Sequence, residues 1–123
     1  MNQVTTFPFE VFVHDDASTD NTSTIIKEYA SKYPDIIKPI LQKENQYSKG
    51  IDIAKKFIVP KVRGKYIALC EGDDYWIDEN KLELQVEFLE EHVEYAACVH
   101  NTIKINTKDN TEELINSMRA DSD

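Results

Sequence analysis

Residues Lys65–Trp76 read KYIALCEGDDYW, in which the apolar run Tyr66–Cys70 breaks abruptly into Glu71, Gly72, Asp73 and Asp74. The run has no polar alternation, which predicts an inner strand of a parallel sheet covered on both faces. Ligand sites in open α/β sheets lie outside the carboxyl ends of strands. Three acidic side chains in four positions repel one another, a cost that is easiest to explain if a cation normally lies among them. The alternative is a solvated acidic turn, since short motifs have a high false-positive rate.

The composition indicates one acidic domain. About two fifths of the 123 residues are apolar, which is enough to bury a core. Lys and Arg number 14 against 23 Asp and Glu, giving a formal charge of -9. This balance argues against nucleic acid as a partner of the surface as a whole. An acidic protein can still bind an anionic ligand through a bridging divalent metal.

Cysteine usage and hydropathy indicate the cellular compartment. Cys70 and Cys98 both lie in apolar runs that we interpret as strands, so we expect buried thiols rather than a disulfide. No apolar segment approaches the ~18 residues that span a bilayer, and no signal-peptide pattern opens the chain. We therefore expect a cytoplasmic location, either free or peripheral at the inner face of the membrane.

A second acidic segment follows the first predicted strand. Phe7–Val13 is rich in β-branched and aromatic residues, and His14, Asp15 and Asp16 come directly after it. Several N-cap candidates then precede a predicted helix that ends before Pro34. This order of strand, acidic turn and helix N-terminus brings backbone N–H groups and a ligand-binding carboxylate to one place.

The remaining segments predict further elements of an α/β domain. Ile36–Leu41 contains Lys38 and Pro39, which predicts an edge strand. Residues Glu44–Lys49 of the polar loop Gln42–Gly50 that follows could line a site, but we interpret the loop as solvated. Ile51–Ile58 predicts a short helix on the sheet.

In the C-terminal part, the spacing of Leu82, Val86, Leu89 and Val93 predicts a helix, with Asp78 as a cap candidate. Tyr95–Val99 predicts another strand. Residues 1–106 are predicted as one α/β domain, and residues 107–123 as a polar tail or a loose helix, with Leu114, Ile115 and Met118 as its bulky apolar residues.

Two of the predicted strands end in acids, about 55 residues apart. In that order, FEVFVHDDASTDNT and GKYIALCEGDDYW followed by KLELQVEFL resemble the inverting nucleotide-sugar glycosyltransferases of family two, which have the GT-A fold. The resemblance covers roughly residues 7–101, and two motifs in the right order are more specific than either alone. It implies a Rossmann-like GT-A half-domain with a mostly parallel sheet flanked by helices.

The resemblance also implies roles for the acidic residues. Asp16 would hydrogen-bond the nucleotide base, uracil in a UDP-sugar, and Asp15 would support the turn. Glu71-Gly72-Asp73 would occupy the metal-binding D-x-D position of the family, with Asp73 as metal ligand and Glu71 assisting. Asp74 would complete this nucleotide-sugar-binding loop. The metal would be Mn²⁺ or Mg²⁺, which prefer hard oxygen ligands and bind diphosphate oxygens.

Two aromatic residues and one histidine lie near these motifs. Tyr75 and Trp76 could shape a pocket, but we interpret them as packing residues. His100 follows a predicted strand, and we interpret it as structural rather than catalytic.

Two parts of the family pattern find no match in the sequence. The first strand of the family is not recognisable, and residues 1–6 are similar instead to the end of the helix that follows it. No segment after Asn101 matches the one that carries the general base, so no catalytic residue is assigned. An absent central strand would leave sheet edges unpaired, which predicts self-association or domain swapping.

Three functions remain open. The first is sugar transfer from a nucleotide-sugar donor to a glycan or lipid-linked acceptor in surface polysaccharide synthesis. The second is a catalytically inactive nucleotide-sugar-binding or assembly module. The third is a sugar nucleotidyltransferase, for which a Gly-rich phosphate loop with Lys or Arg would be expected after the first strand.

Overall fold

A strand, a helix and a second strand form the N-terminal part of the fold. In the computed structural model, which describes residues 2–115, β1 spans Val11–Asp15, α1 spans Thr22–Lys32 and β2 spans Ile37–Leu41. The two strands pair in parallel, with Val13 opposite Pro39. This confirms the predicted α/β class with parallel strands and flanking helices. β1 begins at Val11 rather than at Phe7.

The described chain divides into two compact units, which are residues 5–75 and residues 2–4 with 76–115. After β2, the first unit has a 3-10 turn at Tyr47–Lys49, a π-helical turn at Ala54–Ile58 and a 3-10 turn at Val59–Lys61. The short helix predicted at Ile51–Ile58 therefore forms as a π-helical turn and not as a regular α-helix.

The apolar core of the first unit lies between α1 and the two strands. Ile26 of α1 and Ile37 of β2 are its buried apolar side chains within residues 2–115, and α1 contacts both strands. The helix buries one face only, as expected for an amphipathic helix on a sheet. Ile25, its neighbour in sequence, is 51% exposed.

The second unit contains α2, Lys81–Glu91, and an antiparallel hairpin of β3, Thr102–Asn106, and β4, Thr111–Ile115. The α2 helix confirms that the apolar spacing forms a helix, but the helix ends at Glu91, and Val93 beyond it is 86% exposed. The hairpin replaces the polar tail or loose helix expected from residue 107 onward, as far as residue 115. Residues 116–123, including Met118, lie outside the described residues.

The N-terminal residues also differ from the expectation. Met1 lies outside the described part, and residues 2–6 are not helical. The Gln3 side-chain amide donates to the Asp78 carbonyl at 2.6 Å and accepts from the Leu82 N–H at 3.0 Å. Residues 2–4 therefore cap the start of α2. Within residues 2–115, no helix combines the length and apolar character needed to cross a membrane.

Two strand predictions were wrong. Tyr66–Cys70 and Tyr95–Val99 are irregular, and Leu69 is 83% exposed. A strand is stable only when its backbone groups find partners on a neighbouring strand, whereas an apolar run in the sequence records only side-chain preference. The Cys70 thiol is exposed and that of Cys98 is half-buried, and the two do not form a disulfide. The expectation of a buried Cys70 was therefore also wrong.

We expect the Ile26→Ala substitution to lower the free energy of unfolding by about 2–3 kcal/mol, because it leaves a cavity between α1 and the strands. Urea denaturation followed by circular dichroism measures the change. Ile25→Ala is the matched control and should alter stability by less than about 0.5 kcal/mol. Equal losses in both variants would contradict this description of the core.

Candidate functional site

Asp15 is the last residue of β1, and it closes the turn that follows. Its side chain is buried with 4% exposure. Its carboxylate accepts hydrogen bonds from the backbone N–H and the hydroxyl of Ser18. Between them, Ala17 has a φ of 64°, a left-handed conformation that costs a residue with a Cβ roughly 1 kcal/mol. The turn at Asp15–Ser18 is therefore held in place by hydrogen bonds to the Asp15 carboxylate.

Asp16 joins the end of β1 to the loop after β2. Its Oδ1 accepts the backbone N–H of Gln46 at 2.8 Å, and its Oδ2 accepts that of Tyr47 at 2.9 Å. The Gln46 side chain is buried and donates to the carbonyl of Glu44 at 2.9 Å. We call the two hydrogen bonds that the Asp16 carboxylate accepts from the Gln46 and Tyr47 N–H groups the Asp16 clamp. It fixes the start of the 3-10 turn Tyr47–Lys49 relative to β1.

The clamp lowers the pKa of the Asp16 carboxyl. Desolvation raises its pKa, but the N–H groups of Tyr47 and Gln46 outweigh it, with smaller contributions from the charges of His14 and Lys49. The net result is a pKa below the ordinary value for an aspartate. His14 lies on β1, where its ring stacks on Phe57 with centroids 5.8 Å apart.

The acidic segment Glu71–Asp74 has a different environment. All four residues are exposed, and the Asp74 N–H donates to the Glu71 carbonyl at 3.1 Å, which closes a turn. A Cβ added at Gly72 would meet no atom within 4 Å. The segment follows an irregular stretch, so the prediction that a strand delivers these acids was wrong. Their roles in metal or nucleotide-sugar binding stay predictions.

A divalent metal held by protein groups alone needs several oxygen, nitrogen or sulfur ligands in one place. Within residues 2–115, no three His, Cys, Asp or Glu side chains are arranged to hold a metal ion. The two acidic segments are therefore not brought together into a protein-only metal cage. Their carboxylates do suit Mg²⁺ or Mn²⁺, and one or two protein ligands suffice where substrate phosphates complete the shell.

The sequence predicts Tyr75 and Trp76 as packing residues and His100 as structural. Trp76 is half-buried, and the Lys81 ammonium lies 4.1 Å from the centre of its ring. This agrees with packing by a cation–π contact. Tyr75 is exposed. His100 is exposed in an irregular segment, with its Nδ1 2.9 Å from the Asn101 carbonyl oxygen.

Sequence reasoning named the loop after β2 as one that could line a site but preferred a solvated loop. It interpreted residues 42–50 as solvated, whereas Gln46 is buried and two of the loop's N–H groups bind Asp16. Backbone donors carry no side-chain signal. The available signal was a polar run that ends in Gly50, which takes the left-handed conformation with a φ of 72°.

This α/β chain, with an acidic turn at the carboxyl end of a parallel strand, has the arrangement expected of a GT-A half-domain. The model of glycosyl transferase family 2 matches it over residues 1–121. The chain belongs to that family, as its two acidic motifs predicted, and the family is one of transferases.

Curated relatives agree with this assignment. An uncharacterized protein of Mycobacterium tuberculosis is 49% identical over 98 residues, which are 80% of this chain and 28% of that protein. EpsE of Bacillus subtilis, which carries the name of a glycosyltransferase, is 41% identical over 71% of this chain and 30% of its own length.

A third relative has a more specific name. The UDP-Glc:alpha-D-GlcNAc-diphosphoundecaprenol beta-1,3-glucosyltransferase WfaP of Escherichia coli is 35% identical over 66% of this chain and 30% of its own length. The chain thus spans just under a third of the length of each of these three relatives. No solved structure matches it.

We expect Asp16→Asn to loosen the loop after β2, because an amide has one acceptor oxygen where the carboxylate has two. Amide hydrogen exchange at Gln46 and Tyr47 should become faster, while exchange in α1 stays unchanged. Asp35→Asn, at an exposed position, is the control with the same loss of charge. Unchanged exchange at both loop amides would contradict the clamp.

The clamp should also depend on pH. A carboxyl with a lowered pKa in the folded state stabilises that state above its unfolded pKa, and the contribution is lost as the pH falls through the folded pKa. We expect the amide proton shifts of Gln46 and Tyr47 to titrate together, with a midpoint below the ordinary value of about 3.9. A midpoint above that value in an NMR titration would contradict the assignment.

Proposed function

We propose that the chain is the nucleotide-sugar-binding part of a glycosyltransferase. The enzyme would transfer a sugar from a nucleotide-linked donor to a glycan or lipid-linked acceptor in surface polysaccharide synthesis. The observation that carries this proposal is the family match over residues 1–121. The acidic turn at the carboxyl end of β1 supports it, since ligands of open α/β sheets bind at that end.

Asp15 and Asp16 are proposed for the nucleoside side of the donor. A carboxylate offers about four acceptor positions, so Asp16 can accept a base N–H in addition to the two backbone N–H groups of the clamp. Asp15 keeps the turn in place through Ser18. A uracil base, with its N–H between two carbonyl groups, suits such an acceptor, which favours a UDP-sugar.

The segment Glu71–Asp74 is proposed for the diphosphate side. Asp73, with Glu71 assisting, would hold Mn²⁺ or Mg²⁺ together with diphosphate oxygens, while Gly72 leaves open space beside the backbone. When bound, such an ion neutralises the charge that develops on the departing nucleoside diphosphate. The residues of the chain would bind and orient the donor.

The acceptor is proposed to be lipid-linked. Two relatives from Escherichia coli, WfaP and WfgD, are named for a GlcNAc-diphosphoundecaprenol acceptor. An acceptor of this kind is held in the membrane, so the protein would work as a peripheral protein at the inner face. The general base for the acceptor hydroxyl has no assigned residue.

A binding-only module is the second candidate. The family match and the acidic turn at the end of β1 support donor binding whether or not transfer follows. UDP release from a UDP-sugar in the presence of manganese separates the two. Release would support the transferase, whereas UDP binding without release would support the binding module.

Calorimetry with UDP and manganese tests the proposed donor site. We expect Asp73→Ala to weaken the metal-dependent part of UDP binding by about tenfold or more, as removal of a metal-site residue does elsewhere. Asp35→Ala makes the same change of charge outside the proposed site and should bind as the wild type does. Equal binding by Asp73→Ala and the wild type would remove Asp73 as a metal ligand.

A further inference from the structure

Positive charge is concentrated in one short segment of this acidic chain. Residues 55–65 contain five of the 14 lysine and arginine residues and no acidic residue. We call this stretch the basic segment, and its charged side chains are Lys55, Lys56, Lys61, Arg63 and Lys65. The rest of the chain carries nine basic residues against 23 acidic ones. The acidic residues proposed for donor binding all lie outside the segment.

The charged residues of the basic segment are all exposed. Lys55 and Lys56 lie on the π-helical turn Ala54–Ile58, and Lys61 ends the 3-10 turn that follows it. Arg63 pairs with Glu10 at 2.9 Å, yet its own side chain is 80% exposed. Glu10 offsets only one of the charges, so the surface of the segment stays strongly positive.

Two contacts hold the basic segment against β1 and the residue before it. The Phe57 ring stacks on the ring of His14, with centroids 5.8 Å apart. Near the other end of the segment, Arg63 donates to Glu10, which directly precedes β1. A surface with a backbone held in this way loses little conformational freedom when it binds a partner.

Exposed aliphatic side chains accompany the positive charges. Val59 lies within the segment, and Ile67 and Leu69 follow it; each is more than half exposed. Anionic head groups attract Lys and Arg, and the boundary between head groups and acyl chains accepts aliphatic side chains. A surface that combines both kinds of side chain therefore fits an anionic lipid bilayer.

A nucleic acid suits this surface less well than a membrane does. Nucleic-acid surfaces that bind single strands use exposed aromatic rings on which bases stack. The two rings of this region are half-buried, Phe57 beside His14 and Tyr66 beneath the Lys65 ammonium at 5.1 Å. The exposed aliphatic side chains gain nothing from a phosphate backbone, whereas burial in lipid would stabilise them.

The acidic remainder of the chain does not prevent membrane binding. At physiological ionic strength, charges are screened over a Debye length of about 8 Å. Acidic residues farther than this from the head groups repel them only weakly, whereas each Lys or Arg at the lipid surface is attracted. The net charge of -9 is therefore compatible with binding through one positive surface.

We propose that the basic segment binds the surface of an anionic lipid bilayer. Its cationic side chains contact the head groups, and Val59 enters the boundary between head groups and acyl chains. The inference rests on the proposed function for its biological role and deepens it, because it names the surface by which a peripheral enzyme reaches a lipid-linked acceptor. It requires neither a metal nor the proposed donor site.

Co-sedimentation with vesicles, without nucleotide or metal, tests this surface. We expect binding to vesicles of equal parts phosphatidylglycerol and phosphatidylcholine, and none to phosphatidylcholine alone. Lys55→Gln combined with Lys56→Gln should weaken binding about 25-fold, since each basic residue at an anionic surface contributes about fivefold. Lys27→Gln combined with Lys32→Gln removes the same charge from exposed positions of α1 and is the matched control.

Two further variants separate the contributions of charge and apolar contact. Lys55→Arg combined with Lys56→Arg keeps both charges and should bind as the wild type does. Val59→Ser should weaken the part of the binding that persists at high salt, because salt screens only the charges. Circular dichroism checks that each variant is folded.

Several results would overturn the proposal. These are equal binding to both kinds of vesicle, binding to neither, an equal loss in the α1 control, and undiminished binding by the folded Lys55→Gln, Lys56→Gln variant. Tighter binding to single-stranded RNA than to vesicles, lost in that variant, would assign the segment to a nucleic acid instead. Calorimetry with UDP and manganese reports separately on the proposed function, so a chain that binds vesicles but not UDP would lose the donor site and keep this surface.

Discussion

The Asp16 clamp is the contact on which the candidate site depends. It joins positions 30 residues apart in sequence, and the chain between them contains α1 and β2. Backbone N–H groups that lose water must find an acceptor, and an ionised carboxylate is a stronger acceptor than a neutral carbonyl. The residue that the family resemblance assigns to the nucleotide base therefore also holds a loop, so the proposed base contact would share its carboxylate with the clamp.

The sequence predicted the helices and the first strand pair better than the other strands. The helices follow from spacings within 11 residues, as for α2, because helical hydrogen bonds are local. The strand at Ile37–Leu41 forms because β1 provides its parallel partner. Tyr66–Cys70 is just as apolar, but no pattern within it specifies a partner. The spacing of apolar residues was therefore sufficient to predict helix α2. The apolar run Tyr66–Cys70 was not sufficient to decide whether a strand forms there.

The candidate site was predictable where side chains carry the signal. The acidic pair at the end of β1 could be found because carboxylates after an apolar run are visible in the sequence, and Asp15 is indeed the last residue of the strand. The N–H groups of Gln46 and Tyr47 could not be found, because every residue other than proline has one. A binding loop built from backbone donors emerges only from coordinates.

The edges of the small parallel sheet differ in a way that bears on self-association. β2 carries Lys38 and Pro39, which are typical of a protected edge, whereas β1 has neither Lys nor Pro and pairs with β2 alone within residues 2–115. Its free edge is therefore the one suited to another strand. Two copies with a charge of -9 each repel one another. Pairing at this edge has to exceed that repulsion, and added salt favours it by screening the charges.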